Sequence, residues 1–552
     1  MRDLVDRPVD TSPRAPTDVN ARLLAGLLVT VLVMSWAMGV GRYGGPDEPA
    51  HVLRAAAVAR GDVRGRPAAG LPSGYRVVTV PAALATGDPT CYRHDSTVTS
   101  QCATKPGTGH PDTTPRDETA QAATSAGRYP PLYYLLIGGP VRLIGGEGEV
   151  YWYRAVAALW NSIVVMCVVM RLRPIGRRAV VVVAAITPSA WFLIGVVNPN
   201  GFELVVAWLA WVGVARWVVD PSIRQAWWVA VPLALAVACR PVALLVSLTA
   251  LTMIELLRRP TWRQRLILWS PVIAATGWLA AWNLAAGLDI DDPRTAGNGS
   301  IGDATRQAIG DVTHTVFELV ASLGWLEFAA PAATVAAWLL GLGIAVVWLQ
   351  ATGLRATGLQ ATGLRATRFG TTGALERGAT RMGAVASATV LAAAVVIVPV
   401  IFEVVFHRTL GPIWQGRYSL PTATGIVPLL LIARAETGPR GRATTPAMAL
   451  LASGMVIVSV AVEITTFWWV LRRYSVGTDG PWSLSPAAFS ASGWLAPRTW
   501  LMVNVITTTV AGACLIRWIS QDLGRICPGI RDKYGPDLEF EVGVTGSSRR
   551  CR

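Results

Sequence analysis

LLAGLLVTVLVMSWAMGV, residues 23–40, is an unbroken run with no charged side chain. A helix rises about 1.5 Å per residue, so a run of roughly 17–25 such residues crosses the hydrocarbon layer of a bilayer. No small-x-small cleavage site precedes Gly41-Arg42-Tyr43, so the run reads as an uncleaved first helix rather than a signal peptide. Comparable runs recur at 153–171, 179–197, 202–219, 226–239, 241–257, 266–286, 331–349, 383–406, 418–434, 447–470 and 498–518. The expected fold is an all-α polytopic membrane protein with about 12 transmembrane helices and a long first extracytoplasmic loop.

Composition agrees. Apolar residues fill 52% of the 552 positions and charged residues only 15%, with a mean hydropathy of +0.43. A soluble domain carries roughly 25% charge to keep its surface wetted. The 23 Trp and 11 Tyr suit membrane interfaces. The net charge of +15 does not point to nucleic acid, because the basic residues lie in short clusters between apolar runs. Such clusters set orientation, since cytoplasmic loops collect Lys and Arg. Arg171 with Arg173, Arg177 and Arg178, then Arg258-Arg259 with Arg263 and Arg265, then 355–381 and 434–442 follow alternate runs. Placing these inside puts both termini in the cytoplasm and leaves 41–152, 198–201, the turn near Arg240, 287–330, 407–417 and 471–497 outside.

The chain then divides into a tail 1–22, an N-terminal bundle 23–349 carrying the loop 41–152, a linker 350–382, a C-terminal bundle 383–520 and a tail 521–552. The near-repeat Ala-Thr-Gly-Leu-Arg/Gln within 350–367 has no apolar face and reads as low-complexity linker. Segments 129–145 and 313–328 read as helices lying at the outer surface, because counting the first as a span would put Arg171–Arg178 outside. Seven cysteines show no CxxC pair. Cys91 and Cys102 share the long loop, and in an extracytoplasmic loop they are expected to form a disulfide.

Ionisable residues inside the runs are sparse, chiefly Glu203, Glu403 and Glu463, whereas polar chemistry gathers in the outer loops. That asymmetry favours an enzyme at the outer leaflet over a transporter. The densest motif is Gly44-Gly45-Pro46-Asp47-Glu48-Pro49-Ala50-His51, directly after the first run. The prolines fix the start of a helix over about 49–60 and place Asp47 and Glu48 at its positive end. There the carboxylates can hold a divalent cation such as Mg or Mn, or accept a proton from a hydroxyl; they can equally serve only as an N-cap. Asp289, Asp291 and Asp292 can help hold a cation or simply be solvated.

Pro46-Asp47-Glu48-Pro49-Ala50-His51 with Leu53-Arg54-Ala55 and Gly61-Asp62, then Tyr129-Pro130-Pro131-Leu132-Tyr133-Tyr134, then Gln415-Gly416-Arg417-Tyr418-Ser419-Leu420-Pro421 together resemble the domain-of-unknown-function 2142 family of predicted membrane proteins. The layout is also similar to GT-C glycosyltransferases, which transfer sugars from polyprenyl-phosphate donors at the outer membrane face. The resemblance implies that Asp47, with or without Glu48, is a catalytic base or metal ligand, and that Arg417 faces the donor phosphate. Arg417 can otherwise anchor a span end. Arg240 is a second phosphate candidate or a snorkelling residue. His51 can share a helix face with Asp47 or serve packing, and Tyr133 and Tyr134 can stack on a sugar or seat their helix in the interface. The partners implied are membrane lipid, a polyprenyl-phosphate sugar and a cell-envelope glycan or glycolipid acceptor, with a flippase for a lipid-linked intermediate as the alternative. The Ala/Arg/Val-rich, Lys-poor composition points to the plasma membrane of a high-GC, actinobacterial-like bacterium. In contrast with large GT-C enzymes, no sizeable extracytoplasmic domain is expected after the last run.

The orientation makes a prediction. In intact cells, an impermeant maleimide should label a cysteine introduced at position 115 and leave one at position 365 untouched; the opposite pattern contradicts the assignment.

Overall fold

A computed structural model of the chain describes residues 16–72, 74–85, 90–104, 118–172, 179–287, 300–343, 371–410, 413–435, 446–482 and 495–526. The repeat at 350–367, most of the two tails, and Asp289, Asp291 and Asp292 lie outside the described residues. In chain order the helices are α1 Pro16–Gly39, α2 Glu48–Ala59, α3 Ala82–Ala85, α4 Leu132–Leu143, α5 Val150–Leu172, α6 Ala179–Ala184, α7 Pro188–Gly195, α8 Pro199–Val219, α9 Ile223–Cys239 and α10 Ala243–Leu257. They continue with α11 Trp262–Ala286, α12 Ile301–Gly310, α13 Val312–Ala321, α14 Ala332–Gly343, α15 Thr371–Leu410, α16 Leu420–Ala423, α17 Ile426–Ala435, α18 Pro446–Val476 and α19 Pro497–Ile526.

Among the described residues, 7 helices are long and apolar enough to cross a membrane: Asn20–Gly39, Val150–Leu172, Pro199–Val219, Trp262–Ala286, Gly383–Thr409, Ala449–Val476 and Pro497–Ser520. The other five expected runs take shorter or broken forms, and proline explains most of the breaks. The run 179–197 stops at Thr187-Pro188, where Thr187 accepts the Ala190 N–H and starts α7 afresh. The runs 226–239 and 241–257 become α9 and α10, parted at Arg240-Pro241. The run 418–434 is divided at Thr424-Gly425 into α16, which has Pro421 in its first turn, and α17. Proline has no N–H to give the ladder, and such breaks survive at membrane depth only where protein covers the backbone.

α8 is that cover's centre. Its apolar window is 89% buried, against 11–39% for the other six. A helix apolar all round belongs inside a bundle, and α8 packs against α5, α7, α9, α10, α16 and α17. The single large core around it also takes in α1, α18 and α19 residues, so both ends of the chain share it.

The loop after α1 is more ordered than an all-α reading anticipates. Arg76–Pro81 (β2) pairs antiparallel with Arg66–Pro67 (β1) and with Thr119–Thr124 (β3), setting Val78 opposite Ala122. Alternating β-branched residues at Val78 and Val80 bury one face of that sheet. A second pair, Ser322–Leu323 (β4) with Phe328–Ala329 (β5), replaces the second half of the helix expected over 313–328. α4 is too short to span and lies against α2 and α5. Gly138 lets it approach: a Cβ there would sit 2.1 Å from the Ala55 carbonyl oxygen of α2. Cys91 and Cys102 are joined by a disulfide, with Cα atoms 6.1 Å apart. Arg473 of α18 holds the same loop, donating to the Val98 and Asp95 carbonyls and pairing with Glu327 at 3.0 Å.

One buried pair fixes how α1, α2 and α5 meet. Arg154 of α5 and Glu48 of α2 are both 0% exposed. Arg154 Nε donates to Glu48 Oε1 at 2.8 Å and Nη2 to Oε2 at 2.6 Å, a two-pronged pairing. Its Nη1 also donates to Ala37 O at 3.2 Å, and Nη2 to Gly41 O at 2.7 Å. The guanidinium thereby satisfies carbonyls that the end of α1 leaves without helical partners. Glu48 in turn accepts the Gly45 N–H at 3.0 Å and the Val197 N–H at 2.9 Å, so the α7–α8 turn is tied in as well.

Breaking such a pair leaves a buried charge without a partner, at a cost of about 3–5 kcal/mol. Arg154→Met should therefore destabilise the protein by about that much in a denaturant titration, and the double variant Arg154→Met, Glu48→Gln should recover part of the loss. A single variant losing less than about 1 kcal/mol would show that the pair does not hold the bundle.

Candidate functional site

Asp47 stands immediately before α2 with φ 58°, in the left-handed region, and its side chain makes no capping hydrogen bond. The N-cap reading of this residue therefore fails: the carboxylate turns away from the helix it precedes. It meets Arg417 instead, whose Nη2 lies 2.7 Å from Asp47 Oδ2. The Arg417 side chain is 5% exposed and that of Asp47 45%. Buried cation and half-exposed carboxylate thus form one ion pair, and the opening on the Asp47 side is the cleft of this site.

The cleft is assembled from four separate segments. The turn before α8 bridges two of them: Asn198 Nδ2 donates to the Pro46 carbonyl at 2.8 Å, and Asn200 Nδ2 to the Arg417 carbonyl at 3.4 Å. Arg417 lies in a short 3₁₀ turn, Gly416–Tyr418. Gly416 is required there because a Cβ would fall 2.3 Å from the Thr315 carbonyl oxygen of α13. The third segment brings Tyr129 and Arg128, and the fourth Arg240 from the α9–α10 turn. Arg240 pairs with the buried Glu203 and lies over the Tyr418 ring at 4.5 Å; Arg417 approaches the same ring at 5.3 Å. Arg128 and Arg93 act electrostatically on Asp47. Four guanidiniums thus surround two carboxylates, an excess of positive charge suited to an anionic ligand.

Arg417 has unused capacity. Its Nε and Nη1 are buried and have no hydrogen-bond partner among the described residues, a costly condition for a cation unless a ligand supplies acceptors.

Electrostatics separate the remaining groups. Burial is the largest effect and works to raise the Asp47 carboxyl, but Arg417, His51 and Arg93 together outweigh it and hold Asp47 below the usual carboxylate range. Burial drives His51 down to about 3, and Arg417, Arg240 and Arg128 add to the effect against Asp47. The imidazole is therefore neutral at physiological pH; its Nδ1 meets the Tyr134 hydroxyl at 2.9 Å.

The sequence candidates sort as follows. Asp47, His51, Arg240 and Arg417 come together. Glu48 does not share the role: both its oxygens are taken by Arg154, Gly45 N and Val197 N, so it is part of the scaffold. The expected Asp47–Glu48 site for Mg or Mn does not fit this geometry either. Asp47 alone faces the cleft, amid cations that repel another. Among the described residues, no group of three or more His, Cys, Asp or Glu is placed to hold a metal ion. Tyr133 and Tyr134 are 2% and 0% exposed, so they neither stack on a ligand nor sit in the interface; Tyr134 positions His51. The aromatic rings at the cleft are Tyr129 and Tyr418, both inside the quoted motifs but inconspicuous beside charged neighbours. Arg154, the partner of Glu48, resembled an ordinary charge at the start of a span.

The fold and this cleft define a polytopic α-helical membrane protein with a basic, aromatic-walled site beside its first helix. The chain belongs to the family described as predicted membrane protein, DUF2142, whose profile matches residues 28–430. No curated protein and no solved structure matches it.

The neutral, buried His51 makes a prediction about acid. Unfolded, the imidazole takes up its proton near its ordinary pKa of about 6.5; folded, it resists down to about 3. The unfolded state therefore binds more protons between these values, and stability falls as pH drops through that window. Thermal unfolding of protein in lipid nanodiscs should show a shallower loss from pH 7 to pH 4 in His51→Asn than in wild type; identical slopes would contradict the assignment.

Proposed function

We propose that this protein is a GT-C-type glycosyltransferase of the bacterial plasma membrane. It moves a sugar from a polyprenyl-phosphate donor to a cell-envelope glycan or glycolipid at the outer face. The observation that carries the reading is the Asp47–Arg417 pair: an open carboxylate beside a buried guanidinium with two unpartnered nitrogens.

The chemistry follows from that pair. An acceptor hydroxyl is a poor nucleophile, and a positioned base contributes about 100- to 10,000-fold. Asp47, ionised and half exposed, takes the hydroxyl proton as the acceptor oxygen bonds to the sugar's anomeric carbon. The bond from that carbon to the phosphate oxygen breaks, and the polyprenyl phosphate leaves with the electron pair. Arg417 meets the charge growing on the phosphate, and Arg240 and Arg128 add to the local positive potential. Asp47 and the phosphate compete for the same guanidinium, so donor binding itself loosens the carboxylate. The long lipid tail enters from the bilayer, which suits a site set beside the end of α1.

A second reading, a flippase for a lipid-linked intermediate, draws on Glu463. This residue of α18 is 4% exposed; one oxygen accepts the Trp36 indole N–H, and Asn504 lies beside the carboxylate. Ionisable groups inside spans mark transport paths more often than not.

Thin-layer analysis of labelled polyprenyl-phosphate sugars, incubated with purified protein and envelope glycolipids, tests the first reading. Wild type should give a labelled lipid product, and Arg417→Lys should weaken apparent donor affinity by about tenfold or more, because Lys keeps the charge but loses the fork. Vesicle translocation of donor without product, lost in Glu463→Gln, would favour the flippase.

A further inference from the structure

A cavity of about 250 Å³ opens between α13, the later half of α15 and the segment leading into Arg417. Asp311, His314, Glu318, Glu403, Trp414 and Gln415 supply its polar and aromatic lining, and Val316, Val395, Val396 and Pro399 supply apolar surface. We propose that this cavity binds one neutral sugar ring, the sugar end of a substrate whose phosphate lies at Arg417; the inference rests on the transferase reading.

Size comes first. The volume is below the roughly 300–1,000 Å³ of pockets for drug-sized molecules, which suits a single ring rather than a lipid or an oligosaccharide. Charge comes second. Among the described residues no Lys or Arg lines the cavity, while four guanidiniums lie at the neighbouring cleft, so phosphate and uncharged ring are directed to different places. Hydrogen-bond character comes third. A sugar ring presents hydroxyl donors around its rim and C–H groups on its faces, and it needs acceptors and an aromatic plane in return. Glu403 uses Oε1 for the Ile413 N–H at 2.9 Å and for the Trp414 N–H. Glu318 receives the Gly416 N–H on Oε2 at 2.7 Å, and its Oε1 lies 3.1 Å from His314 Nε2. These bonds stiffen the wall. Gln415 Oε1 is buried and has no partner among the described residues, an acceptor that the hydroxyl of a ligand entering the cavity would satisfy. The Trp414 indole is held between Phe402 at 5.0 Å and Tyr418 at 5.8 Å between centroids. Tyr418 is the ring over which Arg417 and Arg240 lie, so one aromatic cluster joins cavity to cleft.

The test uses full-length protein in lipid nanodiscs and two probes: a short-chain alkyl hexoside, and farnesyl phosphate as the phosphate arm. Saturation-transfer NMR should show transfer to the hexoside ring protons in wild type. Gln415→Leu removes the unpartnered acceptor, and Val396→Trp fills the space without touching a polar group. Each should weaken hexoside binding by about tenfold, the scale of one lost hydrogen bond to a ligand, while farnesyl phosphate binding persists. Hexoside binding equal in wild type and both variants would overturn the proposal, as would binding of an alkylammonium of matched chain length in place of the hexoside. Loss of farnesyl phosphate binding in wild type, with the hexoside still bound in a Gln415-dependent way, would remove the donor reading and leave the sugar subsite standing.

Discussion

The guanidinium of Arg154 closes the carbonyl end of α1, and Glu48 is the counter-charge that makes such a buried cation tolerable. Removing either ion from water is expensive, so the pair is stable only because every prong has a partner. Those partners are distributed: carbonyls from the end of α1, the Gly45 N–H before α2 and the Val197 N–H before α8. Three parts of the chain distant in sequence, the stretch 37–48, Arg154 and Val197, are therefore held to one point.

That constraint explains how two adjacent acids come to have opposite fates. Glu48 is the first residue of α2 and points into the bundle. Asp47, one residue earlier and in a left-handed conformation, points to the cleft. Fixing Glu48 fixes the backbone from which Asp47 departs, while the Asn198–Gly201 turn anchors the Pro46 carbonyl on one side and the Arg417 carbonyl on the other. The ion pair at the cleft is thus positioned by groups that take no part in it. A site held this way can keep Arg417 buried with two nitrogens unpartnered, a condition a looser scaffold would relax by exposing the side chain to water.

The membrane class was legible because length and hydropathy are local properties: 23–40, 202–219 and 447–470 needed no tertiary information. The exact run of spans was not. Pro188 breaks the stretch 179–197 into pieces too short to cross alone, and whether a proline kinks or ends a helix depends on neighbours that cover its backbone. The sheet joining Arg76–Pro81 to Thr119–Thr124 pairs distant strands and left no short-range signature. At the site, Asp47, His51 and Arg417 were visible because they sit in dense motifs. The division between Asp47 and Glu48 was not, for it depends on Arg154, more than a hundred residues away. Likewise Tyr133 and Tyr134 looked like surface aromatics until α4 was seen packed against α2.

Of these two acids only Asp47 is placed to act as a base in the proposed transfer, since both oxygens of Glu48 are taken. Asparagine tolerates the left-handed backbone that Asp47 adopts, and with no capping bond to lose, Asp47→Asn should fold as wild type does. The decisive measurement is single-turnover transfer of labelled sugar from a polyprenyl-phosphate donor by folded Asp47→Asn protein in nanodiscs. The account predicts a rate lower by about 100-fold or more, the contribution of a positioned base, with the donor still bound. Transfer at the wild-type rate would contradict it.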